Sequence, residues 1–123
     1  KRIAVGDPKA VPVGVYAKAY LEKLGLWSAI EPKIAAAENV RASLAVVEMG
    51  NAEAGIVYKT DAAITQKVKV ALEIPAADGP KIVYPVAMIK DSRHAEAAKK
   101  FLAFLGGKEA TTVFKRFGFI VLD

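Results

Sequence analysis

"GDPKAVPVGVYAKAYLEKLG", Gly6 to Gly25, sets two glycines and two prolines within nine residues and then runs into an amphipathic segment. Val13, Tyr16, Ala17, Tyr20, Leu21 and Leu24 recur at three- and four-residue steps, the period of a helix with one apolar face. Pro12 suits a first helical turn, where no intrahelical N–H bond is lost, and Gly25 suits the position after the last turn. The spacing therefore predicts a helix over 12–24. Ahead of it, Ile3-Ala4-Val5 reads as a short apolar strand that ends at Gly6-Asp7-Pro8. A strand feeding a helix through a tight turn is the unit from which α/β folds are assembled. So many special backbone residues at one helix start raise the question of what sits there, since no catalytic side chain lies nearby.

Outward from that unit the alternation continues. Leu26 to Ile34 reads as a short helical or irregular link interrupted by Pro32, and Asn39 is an N-cap candidate for a helix through Val40, Leu44, Val47 and Glu48, closed by Met49-Gly50. Gly55-Ile56-Val57-Tyr58 reads as a compact buried strand, after which Thr60-Asp61-Ala62 caps a brief helix. Lys67 to Ile74 alternates basic and apolar residues, a strand with one wet face; Pro75 to Pro80 is a loop, and Lys81 to Lys90 a further strand. Asp91-Ser92 opens a helix carrying Ala95, Ala98, Phe101, Leu102 and Leu105. Gly106-Gly107 breaks it, and a last helix with Val113, Phe114 and Phe117 stops at Gly118. The class is α/β with a largely parallel sheet flanked by helices, and such sheets bind ligands beyond the carboxyl ends of their strands.

Composition narrows the chemistry. The 123 residues are 54% hydrophobic and 25% charged, a globular balance in a length typical of one domain. No apolar run approaches the roughly 18 residues of a membrane span, and the first residues read as a strand rather than a signal peptide. A chain that starts inside a strand reads as an excised piece or a processed product. Cysteine is absent, which excludes disulfides, thiolate metal sites and cysteine nucleophiles. The net charge of +5 comes from scattered lysines, with no basic run longer than two residues, so it reads as solvated helix backs rather than a nucleic-acid surface.

Catalysis has little to work with. His94, the single histidine, falls in a first helical turn and reads as a surface residue, which argues against a zinc site. Ser28, Ser43 and Ser92 lack the Gly-x-Ser-x-Gly setting of a nucleophile elbow, and neither G-x-G-x-x-G nor a P-loop occurs. Asp7 and Asp61 follow strands and could pair as catalytic carboxylates, but turn and cap hydrogen bonds account for both. What remains is backbone: the helix starts at Pro12-Val13-Gly14 and Asn39-Val40-Arg41 expose free N–H donors and the positive end of a dipole, a neutral trap for an anion. Tyr58, ending an apolar strand, can turn its hydroxyl toward the same crevice.

"AVGDPKAVPVGVYAKAYLEKLG", "AENVRASLAVVEMGNAEAGIVYKTDA", "YPVAMIK" and "FLGGKEATTVFKRFGF" occur in this order. Together they closely resemble the C-terminal half of bacterial molybdate-binding proteins, the periplasmic receptors of molybdate ABC transporters, over essentially the whole chain. The resemblance implies a type-II periplasmic-binding-protein fold whose two lobes close on molybdate or tungstate. It implies one lobe at residues 1–90, lacking its first strand, and at 91–123 C-terminal helices that return to an N-terminal lobe not contained in this sequence. Carried over by motif, the residue after the proline of "VPVG" is Val13 and the valine of "AENVR" is Val40, both backbone N–H donors to an oxyanion oxygen. The tyrosine of "GIVY" is Tyr58, a hydroxyl donor. Position 13 is often alanine in these receptors, and Thr60 stands where their "Y-x-S-D-A" has serine. Two further donors in the family are serines of the N-terminal half, with no counterpart here.

The implied ligand is thus held through its oxygens, with no metal-coordinating side chain, no cofactor, no enzymatic step, no nucleic acid and no membrane insertion. The implied partner is a transporter permease, and the implied compartment the periplasm. The helices at 91–123 carry Phe101, Leu102, Leu105, Val113, Phe114 and Phe117 toward a lobe the sequence lacks, which predicts a dimer or larger oligomer, domain-swapped, with Lys81 to Lys90 extended between two bodies. Other readings stay open: the sensing module of a transcription regulator, although no helix-turn-helix candidate is evident; a sulfate or phosphate receptor of the same fold; and a small enzyme using Asp7 and Asp61.

Overall fold

In the computed structural model, which describes residues 1–122, the Ile3-Ala4-Val5 run is the central strand of the sheet. Strand β1 (Ile3–Gly6) lies between β2 (Ile34–Ala37) and β3 (Ala54–Gly55), and both pairings are parallel. The register sets Ile3 opposite Ile34 and Ala54, and Ala4 opposite Ala35 and Gly55. Parallel neighbours need crossover connections, and helices supply them. Helix α1 (Pro12–Lys23), the short α2 (Trp27–Ile30) and a 3-10 turn at Glu31–Lys33 connect β1 to β2; α3 (Val40–Glu48) connects β2 to β3. Helix α4 (Lys59–Ala62) follows β3, and α5 (Ala95–Leu105) and α6 (Lys108–Arg116) come last.

The chain forms two compact units, Lys1–Lys81 and the residues from Ile82 onward. In the first, Ala4 and Val5 of β1 are fully buried under Val13, Ala17 and Leu21 of α1 and Leu44 of α3. The α1 residues recur every four positions, so one narrow stripe faces the sheet. Gly14 lets that stripe close. A Cβ there would come 1.9 Å from the Gly6 carbonyl oxygen and 2.7 Å from that of Asp7. In the second unit, Tyr84 meets Phe119 edge-on at 5.9 Å between ring centroids, and Phe114 meets Phe119 at 6.0 Å. Phe101, Phe104, Val113 and Phe117 are each more than half exposed.

The helix ends follow the glycines. Gly25, Gly50 and Gly118 sit at positive φ just past α1, α3 and α6. At each the same pair of hydrogen bonds closes the helix: after α1, Leu26 N–H donates to Leu21 O at 2.8 Å and Gly25 N–H to Glu22 O at 2.9 Å. Asn39 caps α3 through its side chain, which accepts from Ala42 N–H at 2.8 Å.

The strands depart most from the sequence reading, which takes Ile34 as the end of a link and assigns no element to 35–37. Ile34–Ala37 is a strand, although Ala35-Ala36-Ala37 favours a helix locally; the free edge of β1 decides it. The strand expected at Gly55 to Tyr58 is shorter. Ile56 N–H still donates to Ala4 O at 2.9 Å, but Val57 and Tyr58 leave the ladder because Tyr58 is the N-cap of α4. That role also displaces Thr60-Asp61 as the cap. Lys67 to Ile74 and Lys81 to Lys90 are not strands among the described residues. The alternation of Lys67 to Ile74 suits a pleated chain, but a strand exists only with a neighbour to bond, and neither segment joins the β2-β1-β3 sheet.

Candidate functional site

Each of the three residues singled out in the sequence follows the carboxyl end of a different strand. Val13 comes after β1 as the second residue of α1, Val40 after β2 as the first residue of α3, and Tyr58 after β3 as the N-cap of α4. The strand order β2-β1-β3 therefore sets them along one edge of one sheet, in the order Val40, Val13, Tyr58. That edge is where parallel sheets accept ligands.

The opening glycines and prolines shape the first of these positions. Ala10 and Val11 N–H both donate to Asp7 O, at 3.1 and 2.8 Å, and Gly14 and Val15 N–H both donate to Val11 O. Pro12 has no N–H to give, and Val13, at the second position, has no acceptor within its own helix. Its side chain is buried at 3% exposure, and a Cβ on Gly6 would come 2.8 Å from its Cγ1. Val13 thus anchors in the core by its side chain while its main chain stands at the helix start. Val40 is the same device at a half-buried position. Asn39 O accepts from Ser43 N–H at 3.1 Å and from the buried Ser43 Oγ–H at 3.2 Å, which ties the cap down from both sides.

At the third position the Tyr58 carbonyl accepts from Asp61 and Ala62 N–H at 3.0 and 3.1 Å, fixing the backbone from which the half-buried phenol projects. The cations next to Val40 and Tyr58 are both paired. Arg41 Nε lies 2.6 Å from Asp61 Oδ1, and Lys59 Nζ lies 2.5 Å from Glu73 Oε1. Asp61 is therefore an ion-pair residue rather than a cap, a role with no local signature because its partner is twenty positions away. Asp7 keeps the expected turn role, its Oδ1 accepting from Lys9 N–H at 2.9 Å. Each carboxylate is committed to its own partner, which leaves the paired-acid reading without support.

His94 is the exposed N-cap of α5, remote in sequence from these positions. Among the described residues no group of three or more His, Cys, Asp or Glu side chains gathers as a metal site, and no helix is long and apolar enough to cross a membrane. An open depression lined by Lys1, Arg2, Pro32, Lys33, Ile34 and Ala35 lies at the amino ends of β1 and β2, the wrong end of the sheet for this site.

Comparison with known proteins agrees with this architecture. The family model for bacterial extracellular solute-binding proteins matches residues 1–120. The molybdate-binding protein ModA of Escherichia coli is 46% identical over 120 residues, covering 98% of this chain and 46% of its own length. A solved substrate-binding domain from Clostridium difficile, described as that of a molybdenum ABC transporter, superposes with a TM-score of 0.82 at 37% identity, covering all of this chain and 54% of that one. The periplasmic molybdate-binding protein of Azotobacter vinelandii shares the fold, with a TM-score of 0.81 at 23% identity, over 55% of its chain. The chain spans about half the length of the relatives it matches. It belongs to the bacterial extracellular solute-binding protein family.

Proposed function

We propose that this chain is the C-terminal part of the substrate-binding component of a molybdate ABC transporter. In this reading Val13 N–H, Val40 N–H and the Tyr58 hydroxyl donate to the oxygens of molybdate or tungstate. One observation carries it: these three donors follow three adjacent parallel strands along one sheet edge, in a chain 46% identical to a molybdate-binding protein. Residues 1–90 supply the ligand-binding lobe and 91–123 supply helices to the other lobe. The complete receptor works in the periplasm and delivers its ligand to a permease.

The geometry suits an ion that is fully charged and never needs a proton. Amide and hydroxyl donors stabilise a tetrahedral dianion at any pH at which it is ionised, and helix dipoles add a positive potential without a mobile counterion. Because the cations next in sequence to Val40 and Tyr58, Arg41 and Lys59, are held by carboxylates, discrimination rests on the spacing of the donors. A larger oxyanion such as molybdate is then separated from sulfate by fit and not by charge. No step of this process makes or breaks a covalent bond, so the reading assigns binding and no catalysis. As a separate 123-residue chain the protein is proposed to associate, with Phe101, Phe104, Val113 and Phe117 of α5 and α6 exchanged or covered between two copies.

Tyr58→Phe in the full-length receptor tests the site. One hydrogen bond to a charged ligand is worth roughly 1.5–3 kcal/mol, so affinity for molybdate drops by about one to two decades. Calorimetry that finds the affinity unchanged removes Tyr58 from the site.

A further inference from the structure

We propose that Arg41 and Asp61 are a positioning pair that locks the Val40 and Tyr58 donors to one another and keeps a free cation away from them. The inference rests on the oxyanion reading above. Arg41 follows Val40 directly in the first turn of α3, and Asp61 is the third residue of α4. The 2.6 Å contact between them joins two helices that follow different strands. On the Asp61 side the tie continues through the backbone, because Asp61 N–H donates to the Tyr58 carbonyl. A continuous path therefore runs from Val40 through Arg41 and Asp61 to Tyr58.

Burial of its carboxylate makes this pair different from the others on the surface. The difference lies at the carboxylate: the Asp61 side chain is only 9% exposed although Arg41 is 65% exposed, whereas both partners of Lys59–Glu73 are more than half exposed. A pair of exposed groups is easily exchanged for water and holds little in place. A carboxylate that has lost its water cannot give up its partner without a large penalty, so the contact persists. Its charge also matters. A cation in the first turn of a helix opposes the helix dipole, and an unpaired guanidinium beside Val40 would draw in any anion whatever its size. Pairing it with Asp61 leaves neutral donors to select by distance.

The test uses the full-length receptor with Asp61→Asn, Arg41→Gln, the double variant and Arg41→Lys, titrated calorimetrically with molybdate and with sulfate and melted without ligand. We expect each single variant to bind molybdate about 10- to 100-fold more weakly, as for residues that orient ligand-holding groups from behind. The double variant is no weaker than the worse single, and Arg41→Lys recovers most of the loss. Asp61→Asn, which frees the guanidinium, also narrows the preference for molybdate over sulfate and makes anion affinity fall more steeply with salt. Folded single variants that melt lower yet bind molybdate within threefold of wild type overturn the proposal, since the pair would then only support the fold. So do losses that simply add in the double variant. If the wild-type receptor itself fails to bind molybdate, the oxyanion reading fails, and amide exchange then decides the pair. Faster exchange at Val40, Arg41 and Asp61 in Asp61→Asn supports the tie, and unchanged exchange overturns it.

Discussion

Replacing Gly14 with alanine opposes two effects whose sizes are known. In a helix alanine is favoured over glycine by about 1 kcal/mol, chiefly because glycine loses more backbone freedom on folding. Against this, the new methyl would stand 1.9 Å from Gly6 O and 2.7 Å from Asp7 O. These are main-chain atoms, and Asp7 O is already held by Ala10 and Val11 N–H, so neither can swing aside as a side chain would. Helix α1 must retreat from β1 by about 1 Å to restore ordinary contact. Overpacking of this kind costs roughly 1–3 kcal/mol and often more against backbone, so the clash wins and the variant is destabilised by about 1–2 kcal/mol net. In the proposed site the same retreat carries Val13 N–H away from the oxyanion; a hydrogen bond lengthened by ~1 Å is no longer one, and affinity is expected to fall by roughly 10- to 100-fold. Urea unfolding and molybdate calorimetry of the full-length receptor measure both. Ala19→Gly, at an exposed position of the same helix, supplies the propensity yardstick and leaves the helix start in place. A Gly14→Ala variant that is as stable as wild type and binds as tightly would refute the close-approach argument.

Three further outcomes follow from individual residues. Asn39 is fully extended (φ −160°, ψ 172°), a conformation compatible with a following proline, so Val40→Pro deletes one N–H with little backbone distortion. It is expected to weaken molybdate binding by more than tenfold, whereas Val40→Ala stays within about threefold, or 0.6 kcal/mol; equal binding by Val40→Pro and wild type removes this helix start from the site. The Glu53 carboxyl is held below the ordinary glutamate range chiefly because it accepts from Arg2 N–H at 2.5 Å. Its contribution is therefore present at neutral pH and is lost as pH falls through its lowered pKa, so the stability gap to Glu53→Gln closes in acid; a gap constant with pH in unfolding titrations contradicts this. Finally, light scattering of the 123-residue chain at micromolar concentration should report a dimer or larger species, and a well-folded monomer would show that the exposed phenylalanines of α5 and α6 do not drive association.

Local rules carry α1, α3 and α6 from sequence to structure nearly residue for residue, because each has its own start and stop. Pro12 and Gly25 bracket α1, Asn39 and Gly50 bracket α3, and Gly107 and Gly118 bracket α6. Strands lack such punctuation. Ile34–Ala37 is a strand because β1 offers it a row of hydrogen-bonding groups, not because alanine prefers to be extended. Lys67 to Ile74 has the better strand pattern and no partner to bond. Pairing depends on residues thirty or fifty positions away, and a short window of sequence cannot hold it.

The candidate site divides along the same line. Its frame is visible in local sequence, since Gly6, Gly14 and Asn39 announce close approach and capping whatever they serve. Its proposed donors are not, because two of them are main-chain N–H groups that any residue but proline would supply, and only a resemblance to a family selects Val13 and Val40 among the many helix starts of an α/β chain. Arg41 and Asp61 are hidden for a third reason: each is an ordinary surface-type residue until the strands bring α3 and α4 together and bury the carboxylate. A site built from backbone therefore inverts the usual expectation for substitutions. In the proposed site Val13 and Val40, which act through the main chain, are expected to tolerate changes of side chain, whereas Tyr58, which acts through its hydroxyl, is not, and neither are a glycine under a helix and an ion pair that would never touch the ligand.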